Sequence, residues 1–555
     1  MLLPFTRTLL GLGLLLVAAG VALAQPGAVL GGTLIVALVH LEIRRLRAGL
    51  QPGRPPWQVM ARAEVLGARN VGAEVERSHR VGREVPVALR VRVPPGAEGV
   101  RLDIDQWWTS PGLELRGKGV ATVTLHSPQT TLHVLVAPKT AAVHRILGVE
   151  GRMIDAAGLM VTHIFLPTPC ELAVLPRSLP IDLRAVAETR RMSPRSGVGG
   201  RPDKVPGTGD ELRELREHMP GDPFKHIAWK ASAQRGRLMS RSFERERTRA
   251  MYVVLETGAT MRDGVPGRGP LDQAADLVHS LVQACARTHD PFGMALVDGR
   301  VLDARPVLEG LAALAATDRA LLDIRRAVAD DLSPMDEGAL FATVGRYLTA
   351  VERAPLPHTD GLPFGMAGTV TLTPYLRQRV VMAALSRLPE RERLPLLRGP
   401  EPSQRSDLSI LWRFCRAADL ALPYRGQLPG SQRVTGLVAG IRAALTARKG
   451  PFALLVVSDF RGLSGQLAPL FKVFAQARQA GHRVMAVAVR ELDEGEALDL
   501  VADADDVDAA RGLLRADHAA RQLLLDELEE GCRKVGAAFQ GDPNPKELAA
   551  LWRYG

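Results

Sequence analysis

The chain has 555 residues, of which 46% are hydrophobic and 24% are charged. This balance is globular, and it excludes a wholly disordered chain, a collagen-like fibre and a polytopic channel. Lys and Arg outnumber Asp and Glu by 71 to 60, which gives a net charge of +11. The excess is spread thinly, whereas nucleic-acid binding usually shows as a concentrated patch, so no nucleic acid is expected. A protein beside an anionic membrane also fits this charge.

The four cysteines indicate neither a zinc site nor a disulfide framework. They are far apart in the sequence and form no C-x-x-C pair; they are Cys170, Cys285, Cys415 and Cys532. We therefore expect a reducing compartment.

The first fifty residues predict a membrane segment. No charged side chain occurs from Thr8 to Val39, and Gln25-Pro26-Gly27 divides this run into two apolar stretches. Each stretch is slightly shorter than the roughly 20 residues of a spanning helix, but the Pro-Gly break favours a transmembrane helical hairpin over residues 1–48. Positive charge lies on one side of it, at Arg7, Arg44, Arg45 and Arg47. We expect two spans in the inner (cytoplasmic) membrane, with the soluble domains facing the cytoplasm.

A cleaved signal peptide is the alternative for the same region. Arg7, an apolar run and Ala22-Leu23-Ala24 before Gln25 fit a cleavage site, and the protein would then be exported. That interpretation leaves the second apolar stretch unexplained, so the hairpin is preferred.

Residues 49–57 predict a linker, and residues 58–190 predict a β-sandwich-like domain. Proline and glycine prevent a helix across 51–56. Beyond them, short runs with apolar residues at every second position are separated by Pro and Gly, which is typical of antiparallel sandwiches. The alternating residues include Val85, Val87, Leu89, Val91, Val93, Val100, Leu102, Ile104, Leu132, Val134 and Val136.

Residues 191–249 form a dense, highly charged segment between two predicted domains. Acidic and basic residues are interleaved throughout, which favours a solvated, self-paired surface over a phosphate or nucleic-acid groove. We predict short helices and turns, with Trp229 as a buried anchor.

This segment resembles the bacterial family catalogued as domain of unknown function 58. That family carries Gly-x-Glu-Phe-x-x-Leu-Arg-x-Tyr-x-x-Gly-Asp, then Ile-Asp-Trp, then Ser-Ala-Arg-x-Gly-x-Leu. Departures here are His218 for the aromatic residue, Ala228 for the acid and Gln234 for the arginine. The resemblance covers most of the chain and implies that the signature and interaction residues are Arg216, Pro220, Gly221, Asp222, Trp229, Ser232 and Gly236.

Residues 250–500 predict an α/β domain similar to the von Willebrand A domain. Apolar strands alternate with amphipathic helices, which favours a doubly wound parallel sheet covered on both faces. The predicted strands are 250–255, 292–297, 453–457 and 483–489, and the predicted helices are 271–285, 435–445 and 467–480. The stretch of about 309–430 is long for a connection and predicts a helical insertion. Residues 501–555 predict a C-terminal helical segment.

The A-domain resemblance implies a metal site beyond the carboxyl ends of the strands. In such a sheet ligands bind at that edge, and Mg²⁺ takes about six oxygens from carboxylates and hydroxyls. The matching positions are Glu256, Gly258, Thr260, Thr435 and Asp459. Glu256 is one methylene longer than the expected acid and Gly258 has no hydroxyl, so the candidate ligands for Mg²⁺ are Glu256, Thr260, Thr435 and Asp459. In the alternative, Asp459 and Thr435 merely cap turns or helix starts.

No catalytic motif is recognisable: there is no G-x-S-x-G elbow, P-loop or H-E-x-x-H. The family resemblance implies a partnership with a MoxR-type AAA+ ATPase and with other A-domain proteins. We therefore expect a membrane-anchored, non-enzymatic scaffold or adaptor in protein maturation, complex assembly or envelope stress. An enzyme that acts on envelope polymers is the alternative function.

Overall fold

A computed structural model gives the fold of the protein. It describes residues 4–49, 60–65, 79–92, 100–110, 112–116, 121–125, 129–154, 161–180, 207–219, 222, 224–243, 250–329, 332, 337–352, 354, 356, 374–390, 393, 407–418, 420, 426–489 and 507–541. Most of the linker predicted at 49–57 lies outside these residues.

Two helices open the chain, α1 (Pro4–Ala22) and α2 (Pro26–Gly49). They approach closely at glycines: a Cβ on Gly32 would lie 2.6 Å from the carbonyl oxygen of Gly13. Ala24 adopts a φ of 52° in the turn that joins the helices.

The predicted transmembrane helical hairpin is wrong, because no described helix is both long enough and apolar enough to cross a membrane. Arg7 lies near the start of α1 and leaves about 15 uncharged residues, or roughly 22 Å of helix. Glu42 and the arginines after it leave about 16 uncharged residues in α2, or roughly 24 Å. The hydrocarbon core is about 30 Å thick. The predicted localisation with two inner-membrane spans is wrong for the same reason.

Two β-sheets enclose one core between residues 60 and 175. The first has the order β1-β3-β7-β5 and the second the order β2-β9-β8-β4-β6. Alternate residues point inward, so that Val87, Leu89 and Val91 of the first sheet pack against Leu102 and Ile104 of the second. The strands are β1 (Met60–Val65), β2 (His79–Arg80), β3 (Val85–Arg92), β4 (Val100–Thr109), β5 (Leu113–Arg116), β6 (Ala121–Leu125), β7 (Gln129–Pro138), β8 (Ala142–Ile154) and β9 (Val161–Leu175).

A small unit connects this region to the α/β part, and it is called here the signature segment, residues 207–243. Its strands β10 (Gly207–Glu217) and β11 (Met239–Phe243) pair antiparallel. Between them lie a 3₁₀ turn (Phe224–His226) and the short helix α3 (Trp229–Arg235).

The α/β part is built on a six-stranded sheet with the order β14-β13-β12-β15-β16-β17. The strands are β12 (Met251–Glu256), β13 (Phe292–Val297), β14 (Val301–Leu308), β15 (Ala453–Ser458), β16 (Arg483–Ala488) and β17 (Ala538–Gly541). The predicted sheet was wholly parallel, whereas the observed one is mixed: the turn at Asp298-Gly299 sends β14 back antiparallel to β13. Within residues 501–555, predicted as a helical segment, a helix covers Val507–Lys534 and is followed by β17, which pairs with β16 in the sheet.

Helices cover both faces of this sheet. They are α4 (Pro270–Thr288), α5 (Gly310–Leu322), α9 (Gly430–Ala447), α10 (Ala468–Gln479) and α11 (Val507–Lys534). Because side chains alternate along a strand, Val253 and Leu255 of β12 join one core with α4 and α5, while Tyr252 and Val254 join the other with α9, α10 and α11.

Between α5 and α9 the chain forms a helical subdomain with a core of its own. Its helices are α6 (Glu337–Ala350), α7 (Pro374–Arg387) and α8 (Asp407–Ala417). Val344, Val380 and Leu411 are among its buried residues.

The segment that leaves β9 is bound to α4 by polar contacts. The backbone N–H of Arg177 donates to Oδ1 of Asp276 at 2.7 Å, and that of Leu179 donates to the Ser280 hydroxyl at 2.7 Å. Burial raises the pKa of Asp276 to about 6, although the Arg177 N–H acts in the opposite direction.

We expect Asp276→Asn to make the stability of the protein less dependent on pH. Between about pH 4 and pH 6 the folded state holds a proton on Asp276 that the unfolded state has lost, so the free energy of unfolding falls as pH rises through this window. The wild type should lose on the order of 1 kcal/mol more than the variant between pH 4 and pH 7, a figure reduced for the partial exposure of the group. Urea unfolding across this range measures it. The control is Asp526→Asn, at an exposed position of α11. In this variant the free energy of unfolding should depend on pH as it does in the wild type.

Candidate functional site

Polar side chains cluster where β12 and β15 end side by side. Glu256 is the last residue of β12, and Ser458 and Asp459 close β15. All three side chains are buried, Glu256 and Ser458 completely. Adjacent parallel strands bring their carboxyl ends to one edge of the sheet, which is why residues about 200 positions apart in sequence meet here.

The guanidinium of Arg433 lies between the two carboxylates. Its Nε donates to Oε1 of Glu256 at 2.5 Å and its Nη2 donates to Oδ1 of Asp459 at 3.0 Å. Its Nη1 donates to the carbonyl oxygen of Arg461 at 2.5 Å. Arg433 is only 1% exposed, so this is a fully buried ion-pair triad. Arg433 is not predicted as a site residue, because one arginine inside a helix carries no motif.

The glycines of α9 explain how Arg433 reaches this position. A Cβ on Gly436 would lie 1.7 Å from the carbonyl oxygen of Asp298, and one on Gly440 would lie 2.6 Å from Cγ1 of Val297. The helix can therefore lie directly on the strands only with glycine at these positions. Residues three apart share a helix face, so the same face carries Arg433 one turn earlier, beyond the strand ends.

The electrostatics of the site follow from burial. Burial raises the pKa of Asp459 to about 6, the charge of Glu256 adds to the rise, and Arg433 opposes it. Burial also raises the pKa of Asp298, again with a contribution from Glu256. Burial lowers the pKa of Arg433, but the two carboxylates outweigh it and the net pKa is raised. The guanidinium therefore stays charged.

The loop after β15 is held by the same network. The Ser458 hydroxyl donates to Oε2 of Glu256 and accepts the backbone N–H of Phe460 at 2.8 Å. The backbone N–H of Arg461 donates to Oδ1 of Asp459 at 3.2 Å. Phe460 has a φ of 54° and is completely buried, a conformation that persists only where surrounding contacts fix it.

Three of the four predicted metal ligands meet at this site. Glu256 and Asp459 are joined through Arg433, and the hydroxyl of Thr260 opposes the rise in the pKa of Asp459 that burial causes. Thr435 is exposed, and its hydroxyl donates to the carbonyl oxygen of Ser431 within α9 at 2.8 Å. It therefore lies apart from the other three.

Asp298 lies in the turn after β13, and its side chain is completely buried beside the site. Its Oδ2 accepts the backbone N–H of Ala329 at 3.0 Å. Its Oδ1 lies 3.0 Å from the position that a Cβ on Gly258 would take.

The residues in place do not fit a Mg²⁺ ion. Mg²⁺ requires about six oxygens in near-octahedral order, whereas a guanidinium already separates the two carboxylates and Gly258 supplies no hydroxyl. Within the part of the chain that the structure describes, no group of three or more His, Cys, Asp and Glu side chains is arranged to hold a metal ion.

The signature segment is the second candidate site, and several of its residues determine its shape. Asp222 accepts the backbone N–H of Met219 at 3.0 Å and pairs with Arg216 at 2.7 Å, and these two contacts lower its pKa. The Ser232 hydroxyl accepts the N–H of Met239 at 2.9 Å, and Gly236 ends α3 with a φ of 65°. The predicted interaction residues Pro220 and Gly221 lie outside the described residues.

Trp229 was predicted to be buried, and that prediction is wrong, because its side chain is 65% exposed. The short helix α3 turns Ser232 inward, next to the buried Ile227 and Ala228. Trp229 therefore faces solvent, as do Phe224 at 78% and Met219 at 61% exposure.

The exposed apolar residues are accompanied by basic ones. Within the described residues four exposed cations of the segment make no ion pair: Lys225, Lys230, Arg235 and Arg241. By contrast, Arg237 pairs with Glu217 at 3.4 Å. The predicted self-paired surface is thus paired in part and basic in part.

A third feature is a cleft of about 460 Å³ between the β-sheets and the helical subdomain. Its charged side chains are paired within each wall: Arg145 with Glu171 at 2.7 Å on the β-sheet side, and Arg387 with Glu352 at 3.3 Å on the helical side. These pairs leave little charge for recognising a ligand.

Residues 214–353 match the family described as "Protein of unknown function DUF58". The match supports the DUF58 family. It covers about a quarter of the chain, including most of the signature segment, β12–β14 and Glu256. The von Willebrand A-like assignment and the ATPase partnership stay predictions.

The other comparisons add no argument. No curated protein matches the chain. A trypsin-activated alpha-2-macroglobulin from Escherichia coli, known as a crystal structure, is 13% identical with a TM-score of 0.15, over 89% of this chain and 28% of that one. This chain thus spans less than a third of that protein.

We expect Arg433→Met to destabilise the protein strongly. The substitution leaves two buried carboxylates without their cation, which costs about 3–5 kcal/mol. Denaturant unfolding gives the value. The matched control is Arg442→Met at an exposed position of the same helix; equal losses in the two variants would contradict the role assigned to Arg433.

We also expect Gly436→Ala to be destabilising, by about 1–3 kcal/mol or more, because its Cβ would collide with the backbone of Asp298. Gly512→Ala is the control, since nothing lies within 4 Å of a Cβ at that helical position. It should be neutral or stabilising by up to about 1 kcal/mol. Thermal or chemical unfolding of both variants tests whether α9 needs this close approach.

Proposed function

We propose that the protein is a non-enzymatic adaptor that binds a partner protein through the signature segment. The observation that supports this function is the exposure of Phe224, Trp229 and Met219 within one short stretch of chain. The partner is a MoxR-type AAA+ ATPase, as the resemblance to the DUF58 family implies. The process served is protein maturation, complex assembly or envelope stress.

Large apolar side chains in solvent support a binding role on energetic grounds. Scattered single apolar residues are ordinary on protein surfaces, but grouped ones mark interaction sites. Tryptophan is among the residues that dominate measured interface energies. Burial of an apolar side chain the size of Phe contributes about 1.5–3 kcal/mol, so Phe224 and Trp229 together would contribute about 3–6 kcal/mol to an interface.

The shape-determining contacts support the same function. Asp222 with Arg216, and Ser232 with Met239, fix the backbone around the exposed residues. A fixed backbone reduces the entropy lost on binding. Because the unpaired cations Lys225 and Lys230 flank the apolar residues, an acidic partner surface would associate faster, and salt would slow the association.

We expect the double variant Phe224→Ala, Trp229→Ala to bind the ATPase at least tenfold more weakly than the wild type. The experiment uses the full-length protein and a purified MoxR-type ATPase from the same genome, with Mg²⁺ and ATP, in a surface-binding assay. Tyr375→Ala is the matched control, because Tyr375 is 60% exposed on α7 of the helical subdomain.

Equal binding by the double variant and the wild type would remove the signature segment as the contact. Absence of any binding by the wild type would reject the ATPase as the partner. Unfolding midpoints of all three proteins show that a loss of affinity is not a loss of fold.

A further inference from the structure

We propose that Arg433 is the resident cation of the carboxyl-end site, so that this edge of the sheet is complete without a metal ion. The proposal is independent of the adaptor function, since it concerns residues outside the signature segment and involves no partner. The A-domain resemblance implies a Mg²⁺ ion at this edge, whereas the structure has the Arg433 guanidinium there.

The buried charges require a cation here. Glu256, Asp298 and Asp459 are each no more than 3% exposed, and an uncompensated buried carboxylate costs several kcal/mol. A divalent ion is one way of meeting that cost. The structure meets it with a side chain, because Arg433 donates to Glu256 and Asp459 at once.

The geometry suits a guanidinium and excludes an ion in the same place. Its three acceptors are Oε1 of Glu256, Oδ1 of Asp459 and the carbonyl oxygen of Arg461, at 2.5–3.0 Å. A planar group with five donors fits such a spread of oxygens. Mg²⁺ would need oxygens at about 2.0–2.1 Å from its own centre, and that centre would fall where the guanidinium lies.

The packing of α9 on the sheet also holds Arg433 in place. The helix α9 lies on β12 and β13 through Gly436 and Gly440, and the Arg433 side chain has 2% of its surface exposed. A metal ion could take this place only if the guanidinium gave up its bonds to both carboxylates. The packing of α9 on the sheet thus favours the guanidinium over an ion.

Potential metal ligands nevertheless remain around the guanidinium. Oδ2 of Asp459 and the hydroxyl of Thr260 are buried and make no hydrogen bond of normal geometry within the described structure. The two atoms nearest to a Cβ on Gly258 would be side-chain oxygens, Oδ1 of Asp298 at 3.0 Å and Oε1 of Glu256 at 3.4 Å. A serine at this position would add the missing hydroxyl at the cost of a shift of a few tenths of an ångström in those side chains.

Two substitutions should therefore convert the site. Arg433→Ala removes the resident cation, and Gly258→Ser adds an oxygen ligand. In the full-length protein we expect the double variant to melt several degrees higher in millimolar Mg²⁺ than in EDTA, and to bind Mn²⁺ in an electron paramagnetic resonance titration. The wild type should show neither response. The matched control, Gly258→Ser with Arg442→Ala, retains Arg433 and should also show neither.

Two results would overturn the proposal. The first is stabilisation of the wild type by Mg²⁺ that disappears on Asp459→Asn, since the ion would then share the site with Arg433. The second is a double variant that does not respond to Mg²⁺ or Mn²⁺, whether it is folded or stays unfolded with the metal present, since the guanidinium would then not stand in the place of an ion. Loss of ATPase binding, or its persistence, has no bearing on either result.

Discussion

One buried guanidinium determines how the α/β part of this protein is put together. Arg433 joins β12, β15 and α9 by bonds to Glu256, Asp459 and the Arg461 backbone. Breaking such a triad by removing one member leaves uncompensated charge in a dry interior. Three structural features therefore depend on the side chains of Arg433, Glu256 and Asp459. They are the edge of the sheet, the loop in which Phe460 has a positive φ, and the position of α9 on the sheet.

The signature segment divides its residues between buried contacts and exposed apolar side chains. Asp222 and Ser232 each accept a backbone N–H, so they are needed for the shape of the segment. Trp229 contributes little to that shape and is presented to solvent. One short segment thus combines residues that determine its shape with an aromatic residue that contributes little to it, and the sequence alone does not tell them apart.

The central strands of the α/β sheet were predictable from the sequence. Parallel strands that are buried on both faces consist of continuous apolar residues, so their first and last residues are easy to recognise. Residues 292–297 were predicted as a strand and form β13, and the predicted strand 250–255 differs from β12 by one residue at each end.

The burial and the contacts of individual polar and aromatic side chains were not predictable in the same way. Asp298 follows turn chemistry in sequence and yet is buried, because α9 passes directly over that turn. Trp229 was predicted to be buried because of its large apolar side chain. Its helix has only seven residues, of which Ser232 is buried, so the helix does not also bury Trp229. Arg433 belongs to no sequence motif, because its contacts form only when β12, β15 and α9 come together in the folded protein.

The separation between Glu256 and Arg433 is 177 residues, and the helical subdomain lies between them. A contact of such long range requires the intervening chain to lose the entropy of an open loop. The subdomain has a core of its own, so its compactness shortens the loop that this contact has to close. An insertion that takes no part in the site thus lowers the entropy cost of the ion pairs that hold the site together.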